Sequence, residues 1–187
     1  MSRHDGRACL AVRTVVDEFA PSTSQRRILR ANTDLAAAVK APRATAEQYE
    51  LFATYQRSRH FDGDMASMDF YDYQALVEET PVESSVVELR DRGGRLISAC
   101  LVDHMSDGLS AVYSFFDPAE SRRSPGTHLV LWLIEQAQSK GLPYVYLGYW
   151  IGGSPKMSYK SKFRPLEYYA NGAWHPFDDG GGTSDDG

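Results

Sequence analysis

The segment at residues 142–165 changes character twice, and it constrains the fold more than any other part of the chain. Its first part, residues 144–150, is aromatic and β-branched, which predicts a buried strand. A Gly-Gly-Ser-Pro run at residues 152–155 then predicts a loop. The last part, residues 156–164, contains four cations and two aromatic residues. The segment therefore predicts a core strand that delivers its end into a cationic loop.

A strand that ends in such a loop is how α/β proteins commonly present a binding site. Ammonium and guanidinium groups hold phosphates, and aromatic rings stack on bases, so the segment favours a phosphate-bearing ligand. An ordinary surface loop followed by an amphipathic segment explains the same composition equally well.

The composition of the 187-residue chain indicates one domain, with or without an appendage. The apolar fraction of 42%, with 11 Tyr, 8 Phe and 3 Trp, is sufficient for a core. No apolar run reaches the length of about 18 residues that a membrane span needs. The first residues hold no stretch of signal-peptide length, and Cys9 and Cys100 are the two cysteines. We therefore expect a cytoplasmic protein, with Cys100 a small buried strand residue.

The charge of the chain is unevenly distributed. The net charge of −5 argues against a general nucleic-acid binder, but residues 178–187 carry four aspartates and no apolar residue. We expect them to form a disordered acidic tail. A local basic cleft on the nearly neutral remainder is compatible with holding one nucleic-acid end. The cations cluster at Arg26, Arg27 and Arg30, at Arg57, Arg59 and His60, at Arg122 and Arg123, and at Lys156, Lys160, Lys162 and Arg164.

The remaining pattern predicts a mixed order of helices and strands. Capping residues mark two helices, with a Thr45–Gln48 capping box before residues 48–59 and Asp69 before residues 70–79. Residues 21–31 are polar and basic, and residues 34–39 are a short apolar stretch. The other predicted elements are a strand at 10–19, a hairpin of 85–89 and 96–104, a strand at 109–116, a helix at 126–140 and a strand at 143–150.

The order strand, helix, parallel strand, with Arg123-Ser124-Pro125-Gly126 at the helix start, is that of the acyl-CoA N-acyltransferase fold. We therefore predict an α/β (α+β) fold, a GNAT-like mixed sheet flanked by helices. In that fold an Arg/Gln-x-x-Gly-x-Gly/Ala turn presents backbone N–H groups to a pyrophosphate. His128 stands at the third small position here, which makes the cofactor loop degenerate.

Seven motifs resemble the arginyl-/leucyl-tRNA–protein transferase family, and the bacterial aspartate/glutamate leucyltransferase class in particular. The resemblance covers residues 7–175 in order. The motifs are YSFFDP at 113–118, Arg123-Ser124-x-Gly126-Thr127, GLPYVYLGYWI at 141–151, Ser154-x-Lys156-Met157-x-Tyr159-Lys160, Phe163-x-Pro165-Leu166-Glu167, Tyr55-x-x-x-Arg59-His60-x-Asp62-Gly63-x-Met65, and Pro21-Ser22-x-Ser24-Gln25-Arg26-Arg27.

The resemblance implies an enzyme that moves an amino acid, leucine for the bacterial class, from charged tRNA to the α-amino group of an N-terminal Asp or Glu. This reaction marks proteins for the N-degron degradation route. The expected partners are aminoacyl-tRNA and such a protein or peptide, with no membrane. We expect a monomer without cofactor or metal. Two alternatives stay open, namely a small-molecule N-acyltransferase that uses acyl-CoA, and an inactive remnant that binds tRNA or an N-degron peptide.

The family also has an N-terminal region that ends in a cysteine cluster, of which only Cys9 is present. The resemblance thus implies a chain that lacks the family's N-terminal part. We divide it into a remnant of that region at 1–40, a C-terminal GNAT-like transferase domain at 41–177 and the tail at 178–187. One thiolate and a nearby histidine, His4, cannot form a closed four-ligand metal site.

The site candidates follow from the chemistry that the resemblance implies. Aminolysis of an aminoacyl ester needs no strong base, since an α-amino group has a pKa of about 7.7–8.0. An acceptor carboxylate calls for arginine, and an acceptor ammonium calls for a carboxylate. Each of these residues has an ordinary structural reading as a helix cap, turn or core residue. The catalytic candidates are Asp62, Asp117, Tyr113 and Ser114; the substrate-binding candidates are Arg59, His60, Arg57, Tyr149 and Trp150; and the tRNA-binding candidates are Arg122, Arg123, Ser154, Lys156, Tyr159, Lys160 and Arg164.

Overall fold

A computed structural model of the chain describes residues 9–59, 67–151 and 155–177; of residues 9, 150, 151 and 155–158 it describes the backbone alone. Four α-helices and eight strands lie in these ranges. The helices are α1 (Thr23–Ala31), α2 (Ala46–Arg59), α3 (Phe70–Glu78) and α4 (Pro125–Ser139). The strands are β1 (Cys9–Val15), β2 (Ala36–Lys40), β3 (Ser84–Arg90), β4 (Leu96–Met105), β5 (Gly108–Phe116), β6 (Tyr144–Ile151), β7 (Leu166–Ala170) and β8 (Ala173–Pro176).

One sheet holds all eight strands in the order β2-β3-β4-β5-β6-β1-β7-β8. Every neighbouring pair is antiparallel except β5 and β6, which are parallel and joined through α4. The predicted parallel relation of these two strands is therefore confirmed. So is the predicted mixed sheet flanked by helices.

Helices cover both faces of the sheet, because residues along each strand alternate between two cores. On β4, Cys100 and Val102 belong to the core that α4 completes, while Ala99 and Leu101 belong to the core that α2 and α3 complete. Cys100 is buried, as predicted. The sheet is apolar on both faces, so helices on both sides are needed to cover it.

On β1, Val12 belongs to the core that α4 completes, so the neighbouring residue Arg13 faces the other side of the sheet. Its guanidinium carbon lies 3.5 Å from the ring centroid of Tyr144 and 4.0 Å from that of Trp174. Its Nε donates to Glu167 over 2.8 Å. The charge is thereby buried with both a carboxylate and aromatic faces as partners.

Both predicted helix N-termini are confirmed. Gln48 N donates to Thr45 Oγ1 over 3.1 Å, and Asp69 forms a reciprocal capping box with Asp72. The predicted hairpin, the strand before α4 and helix α4 are also present, within a few residues of the predicted bounds.

Three features differ from the sequence prediction. Residues 21–31, read as polar and basic without an element, contain α1, which begins with a capping box between Ser22 and Gln25. Strands β7 and β8 were not predicted. The strand predicted at 10–19 ends at Val15, and a 3₁₀ helix at Val16–Glu18 follows it.

Residues 9–40 contribute β1 and β2 to the same sheet as the rest of the chain, with β1 between β6 and β7. The domain division at residue 40 remains a prediction. The acidic tail at 178–187 lies outside the described residues.

Candidate active site where two parallel strands diverge

The candidate site is a wedge between β5 and β6. These strands pair over three residue pairs, from Gly108–Tyr144 to Ser110–Tyr146, and then separate while both continue. A β-carbon on Gly108 would overlap the Tyr144 carbonyl oxygen, so glycine permits this close start. The divergence opens a pocket of about 610 Å³.

Four strands and α-helices and two 3₁₀ helices line this pocket. Residues 111–114 and 116 come from β5, residues 147–149 from β6, and residues 124–127 and Val130 from the N-terminal part of α4. Tyr55 and Arg59 come from α2. Tyr159 and Lys160 come from a 3₁₀ helix at Pro155–Lys162, and Ser121 completes the lining.

Two irregularities in the strands shape the wedge. The β4–β5 register shifts between Leu101 and Val102, which leaves Val112 unpaired, and the β1–β6 register shifts between Ala11 and Arg13. The second shift coincides with Gly148, whose φ of 79° is in the left-handed region. Bulges of this kind bend a strand and redirect its side chains. Here they take β5 and β6 apart.

Lys160 is a buried cation at the wall of this pocket, with 7% of its surface exposed. Its Nζ donates to the backbone carbonyl of Tyr149 over 2.8 Å. This bond connects the 3₁₀ helix to β6 just after the bulge. Tyr149 itself is 62% exposed and Tyr159 is 39% exposed, so two aromatic rings are accessible beside the buried ammonium.

Arg59, the last residue of α2, supplies the second cation of the lining. Its guanidinium carbon lies 5.0 Å from the ring centroid of Phe116 and 5.5 Å from that of Tyr55. The guanidinium stays exposed to solvent. Arg57 is also exposed, but it donates to Thr54 on its own helix and does not line the pocket. Of the two arginines predicted to bind substrate, only Arg59 therefore lines the pocket.

The hydroxyls of two tyrosines in the lining and the buried thiol of Cys100, which contacts Ser114, are protonated at neutral pH. Burial raises the pKa of Tyr113 to about 12 and that of Cys100 to about 11. Burial, with smaller contributions from Tyr55 and Cys100, raises the pKa of Tyr159 to about 12. Ser114 Oγ donates to Cys100 Sγ over 3.4 Å. These groups are therefore suited to donate hydrogen bonds rather than to attack as anions.

The lining is electropositive, because Arg59 and Lys160 are its charged side chains and no Asp, Glu or His lies among the described residues that form it. The N-terminus of α4 adds the positive end of a helix dipole. A carboxylate or a phosphate is the ligand charge that such a pocket favours.

Two predicted site residues, Arg123 and Asp117, instead hold the segment before α4 in place. Arg123 donates to both carboxylate oxygens of Asp34, over 2.7 and 2.9 Å, and to Glu120 over 2.7 Å. Asp117 accepts from Ala119 N over 2.9 Å and from Arg95 over 2.5 Å. Neither side chain lines the pocket. Their described contacts are those of positioning residues.

The other predicted tRNA contacts are spread around the pocket. Arg122 is exposed and lies outside the lining, and exposed Arg164 donates to the Ser161 carbonyl over 2.9 Å. His60, Asp62 and Ser154 lie outside the described residues, as do the side chains of Trp150 and Lys156.

The side chain of His128 is buried and does not line the pocket. Pro125, the first residue of α4, does line it, and its nitrogen has no hydrogen to donate.

Sequence reasoning missed Tyr55 and Phe116 as parts of the site. Tyr55 and Arg59 stand four residues apart, a spacing that places both on one face of a helix. That signal was available in the sequence. The proximity of Phe116 was not, since it arises from tertiary packing.

Comparison with known proteins identifies the family. The family model described as "Arginine-tRNA-protein transferase, C terminus" matches residues 47–170. The chain belongs to this family. The matched range includes every described element of the pocket, and the resemblance of the sequence motifs is confirmed.

Curated members of this family are similar over nearly the whole chain. An aspartate/glutamate leucyltransferase of Paramagnetospirillum magneticum is 55% identical over 94% of this chain and 72% of its own length. Those of Granulibacter bethesdensis and Rhodospirillum rubrum are 48% and 47% identical, over 63% and 71% of their lengths. The family member described here thus spans about two thirds of these relatives.

Solved structures share the fold at low sequence identity. L-PGS from Bacillus licheniformis matches with a TM-score of 0.65 and 13% identity, over 90% of this chain and 58% of that one. The C-terminal domain of a putative lysylphosphatidylglycerol synthetase from Agrobacterium fabrum matches with a TM-score of 0.62, 11% identity and coverage of 91% and 58%. In the described ranges of this transferase-family chain, no helix is both long and apolar enough to cross a bilayer.

Proposed function

We propose that this protein transfers an amino acid, leucine by analogy with its curated relatives, from charged tRNA to the α-amino group of a protein that begins with Asp or Glu. The product is a substrate of the N-degron route, and the cytoplasm is the compartment where tRNA and such proteins meet. The observation that carries the proposal is an electropositive pocket, without described acidic residues, inside the range that the family model matches.

The acceptor side chain is assigned to Arg59. A guanidinium at the pocket edge pairs with a carboxylate through two parallel hydrogen bonds, which a neutral side chain cannot match. The rings of Tyr55 and Phe116 hold this guanidinium by cation–π contact. Arg59 therefore selects Asp and Glu at the N-terminus of the acceptor.

The donor end is assigned to the other side of the pocket. The exposed ring of Tyr149 offers a stacking surface for an unpaired base, and Lys160 offers a buried positive charge to a phosphate. Both belong to the segment at 142–165 whose composition first suggested a phosphate-bearing ligand. Trp150 and Lys156 keep the roles that the sequence assigns to them as predictions.

The reaction is an aminolysis in which positioning supplies most of the rate. The neutral acceptor amine attacks the ester carbonyl, a C–N bond forms, the C–O bond to the ribose breaks, and the proton from the amine passes to the departing ribose oxygen. The protonated hydroxyls of Tyr113 and Tyr159 are suited to stabilise the tetrahedral oxyanion by donating hydrogen bonds, and Ser114 joins them once its hydroxyl turns away from Cys100. Asp62 remains a proposed partner of the acceptor ammonium.

A transfer assay tests this function. The full chain is incubated with tRNA carrying labelled leucine and with peptides that differ in their first residue, Asp, Glu or Ala. We expect label in the Asp and Glu peptides and none in the Ala peptide. A parallel reaction with a curated relative supplies the positive control. Absence of transfer by this chain, with an active relative alongside, contradicts the proposal; retained binding of tRNA or peptide in that case favours the inactive remnant.

Acyl-CoA is the donor of the competing function. The N-terminal turn of α4 supports that reading by its Arg-x-x-Gly sequence and its position in the pocket, whereas Pro125 removes one backbone donor. Calorimetry with acetyl-CoA separates the two functions. We expect no measurable heat when acetyl-CoA is titrated into the protein at concentrations at which charged tRNA binds.

A further inference from the structure

Helix α1 has two chemically distinct faces. Gln25, Ile28, Leu29 and Asn32 point inward, since Gln25 and Asn32 are buried and the two aliphatic residues pack against the core that contains α4. Arg26, Arg27 and Arg30 are exposed on the opposite side, and we call these three residues the α1 basic face. Spacings of three and four residues place Arg27 and Arg26 next to Arg30 on one helix surface.

The helix is attached at both ends to segments that form the candidate pocket. Near its start, Gln25 Nε2 donates to the carbonyl oxygen of Lys162, two residues beyond Lys160. After its end, Asn32 Nδ2 donates to the carbonyl oxygen of Arg123, the residue before Ser124 of the lining. Helix α1 therefore lies beside the pocket, across the gap between the 3₁₀ helix and the start of α4.

The α1 basic face carries a concentrated positive charge. Helix α1 contains no acidic residue. Asp34, the acidic residue that follows it in sequence, is already bound by Arg123 through both carboxylate oxygens. Among the described residues, no ion pair includes Arg26, Arg27 or Arg30. Such a face on a chain of net charge −5 is complementary to an anionic surface.

We propose that the α1 basic face binds the sugar–phosphate backbone of the paired acceptor stem of tRNA while the unpaired 3′ end enters the pocket. This inference rests on the proposed function. The α1 basic face has no aromatic residue on which an unpaired base stacks, so it fits a duplex backbone. Stacking and the buried ammonium belong to the pocket, where Tyr149 and Lys160 suit a single strand. The α1 basic face thus binds the paired part of the tRNA, and the pocket binds its unpaired end.

The test removes two charges from this face and compares two RNA probes. The variant is Arg27→Gln with Arg30→Gln, which keeps helix-forming side chains of similar length. Arg26 is left in place because it donates to the Pro21 carbonyl and to Thr23 at the helix start. The matched control is Arg43→Gln with Lys140→Gln, two exposed cations outside the lining, one before α2 and one at the far end of α4.

The probes are a hairpin that reproduces the acceptor stem with its unpaired 3′ end, and a single strand with the 3′ end alone. Affinity is measured over a range of salt concentrations. We expect the α1 variant to bind the hairpin more weakly, with a slope of log K against log salt that is smaller by roughly 1.5 to 2. Binding of the single strand stays at the wild-type level, and the control double variant behaves as wild type with both probes.

Equal hairpin affinities and salt slopes for wild type and the α1 variant would overturn the inference. Equal losses with hairpin and single strand would also overturn it, because they would place α1 at the unpaired end. Failure of the proposed function gives a different result, because the wild-type chain itself then transfers no leucine. If transfer is present, we expect the α1 variant to raise the KM for charged tRNA while the KM for the acceptor peptide stays unchanged.

Discussion

Lys160 donates from its buried Nζ to the backbone carbonyl of Tyr149, and this 2.8 Å hydrogen bond joins the cationic 3₁₀ helix to the strand that precedes it. This carbonyl belongs to the residue after Gly148, where the pairing of β6 with β1 changes register. This hydrogen bond therefore joins the buried ammonium of Lys160, in the pocket wall, to the strand at its bulge.

Replacing this ammonium tests the importance of Lys160. We expect Lys160→Met to lower kcat/KM for charged tRNA at least ten-fold, because a hydrogen bond from a charged group contributes about 1.5–3 kcal/mol. Lys162→Met is the matched control, since Lys162 is exposed on the same 3₁₀ helix and does not line the pocket. Equal transfer by the two variants would show that the buried ammonium has no part in donor binding.

Arg59 and Arg57 provide a direct comparison of two neighbouring arginines. We expect Arg59→Ala to raise the KM for a peptide beginning with Asp by about ten-fold or more, from the loss of a charge-assisted pair. Arg57→Ala changes the same constant little, because Arg57 does not reach the pocket. Steady-state kinetics with varied peptide concentration measures the KM of both variants. A larger rise in KM for Arg57→Ala than for Arg59→Ala would assign the acceptor carboxylate to Arg57 instead.

The pair between Arg123 and Asp34 gives a pH-dependent prediction. Hydrogen bonds from Arg123 lower the pKa of Asp34 in the folded protein below its ordinary value. The stabilisation is therefore complete above the unfolded-state pKa of about 3.9 and disappears as the pH falls through the folded-state value. We expect Asp34→Asn to reduce the free energy of unfolding by about 1 kcal/mol at pH 7, since both side chains are partly exposed.

Urea unfolding of wild type and Asp34→Asn at pH 7 and at pH 3 checks this prediction. The difference between the two proteins is expected to shrink at the lower pH, because the unfolded chain binds a proton at Asp34 below its unfolded-state pKa of about 3.9. A difference that stays constant between these pH values would contradict an electrostatic origin.

Gly148 tests whether the bulge conformation needs glycine. Its φ of 79° strains any residue with a β-carbon, by about 1–2 kcal/mol. An added β-carbon would meet no steric overlap, as its nearest atom is Lys160 Nζ at 3.7 Å. We expect Gly148→Ala to lower stability by that amount in chemical denaturation. Gly126→Ala in the first turn of α4 is the control, where φ is not positive and a β-carbon would lie 3.7 Å from Phe116.

Local signals account for the elements that the sequence predicted correctly. A Thr or Asp followed three residues later by Gln or Asp satisfies orphan backbone groups within one turn, so the starts of α2 and α3 were readable. The same signal exists at Ser22 and Gln25, but the basic composition of residues 23–31 obscured the helix. The apolar residues that bury α1 are few, and their partners lie on α4, far along the chain.

The sequence by itself determined the parallel β5–α4–β6 unit, the helix caps and the identity of the family, because these depend on neighbouring residues or on contiguous motifs. It also indicated Lys160, Tyr149, Tyr159 and Arg59, which line the candidate pocket. Tertiary structure alone decided that Asp117 and Arg123 form ion pairs outside the pocket. Asp34 and Arg123 are 89 residues apart, and Arg13 and Glu167 are 154 apart. Such pairs depend on how the strands are ordered in the sheet, and no local pattern of residues encodes that order.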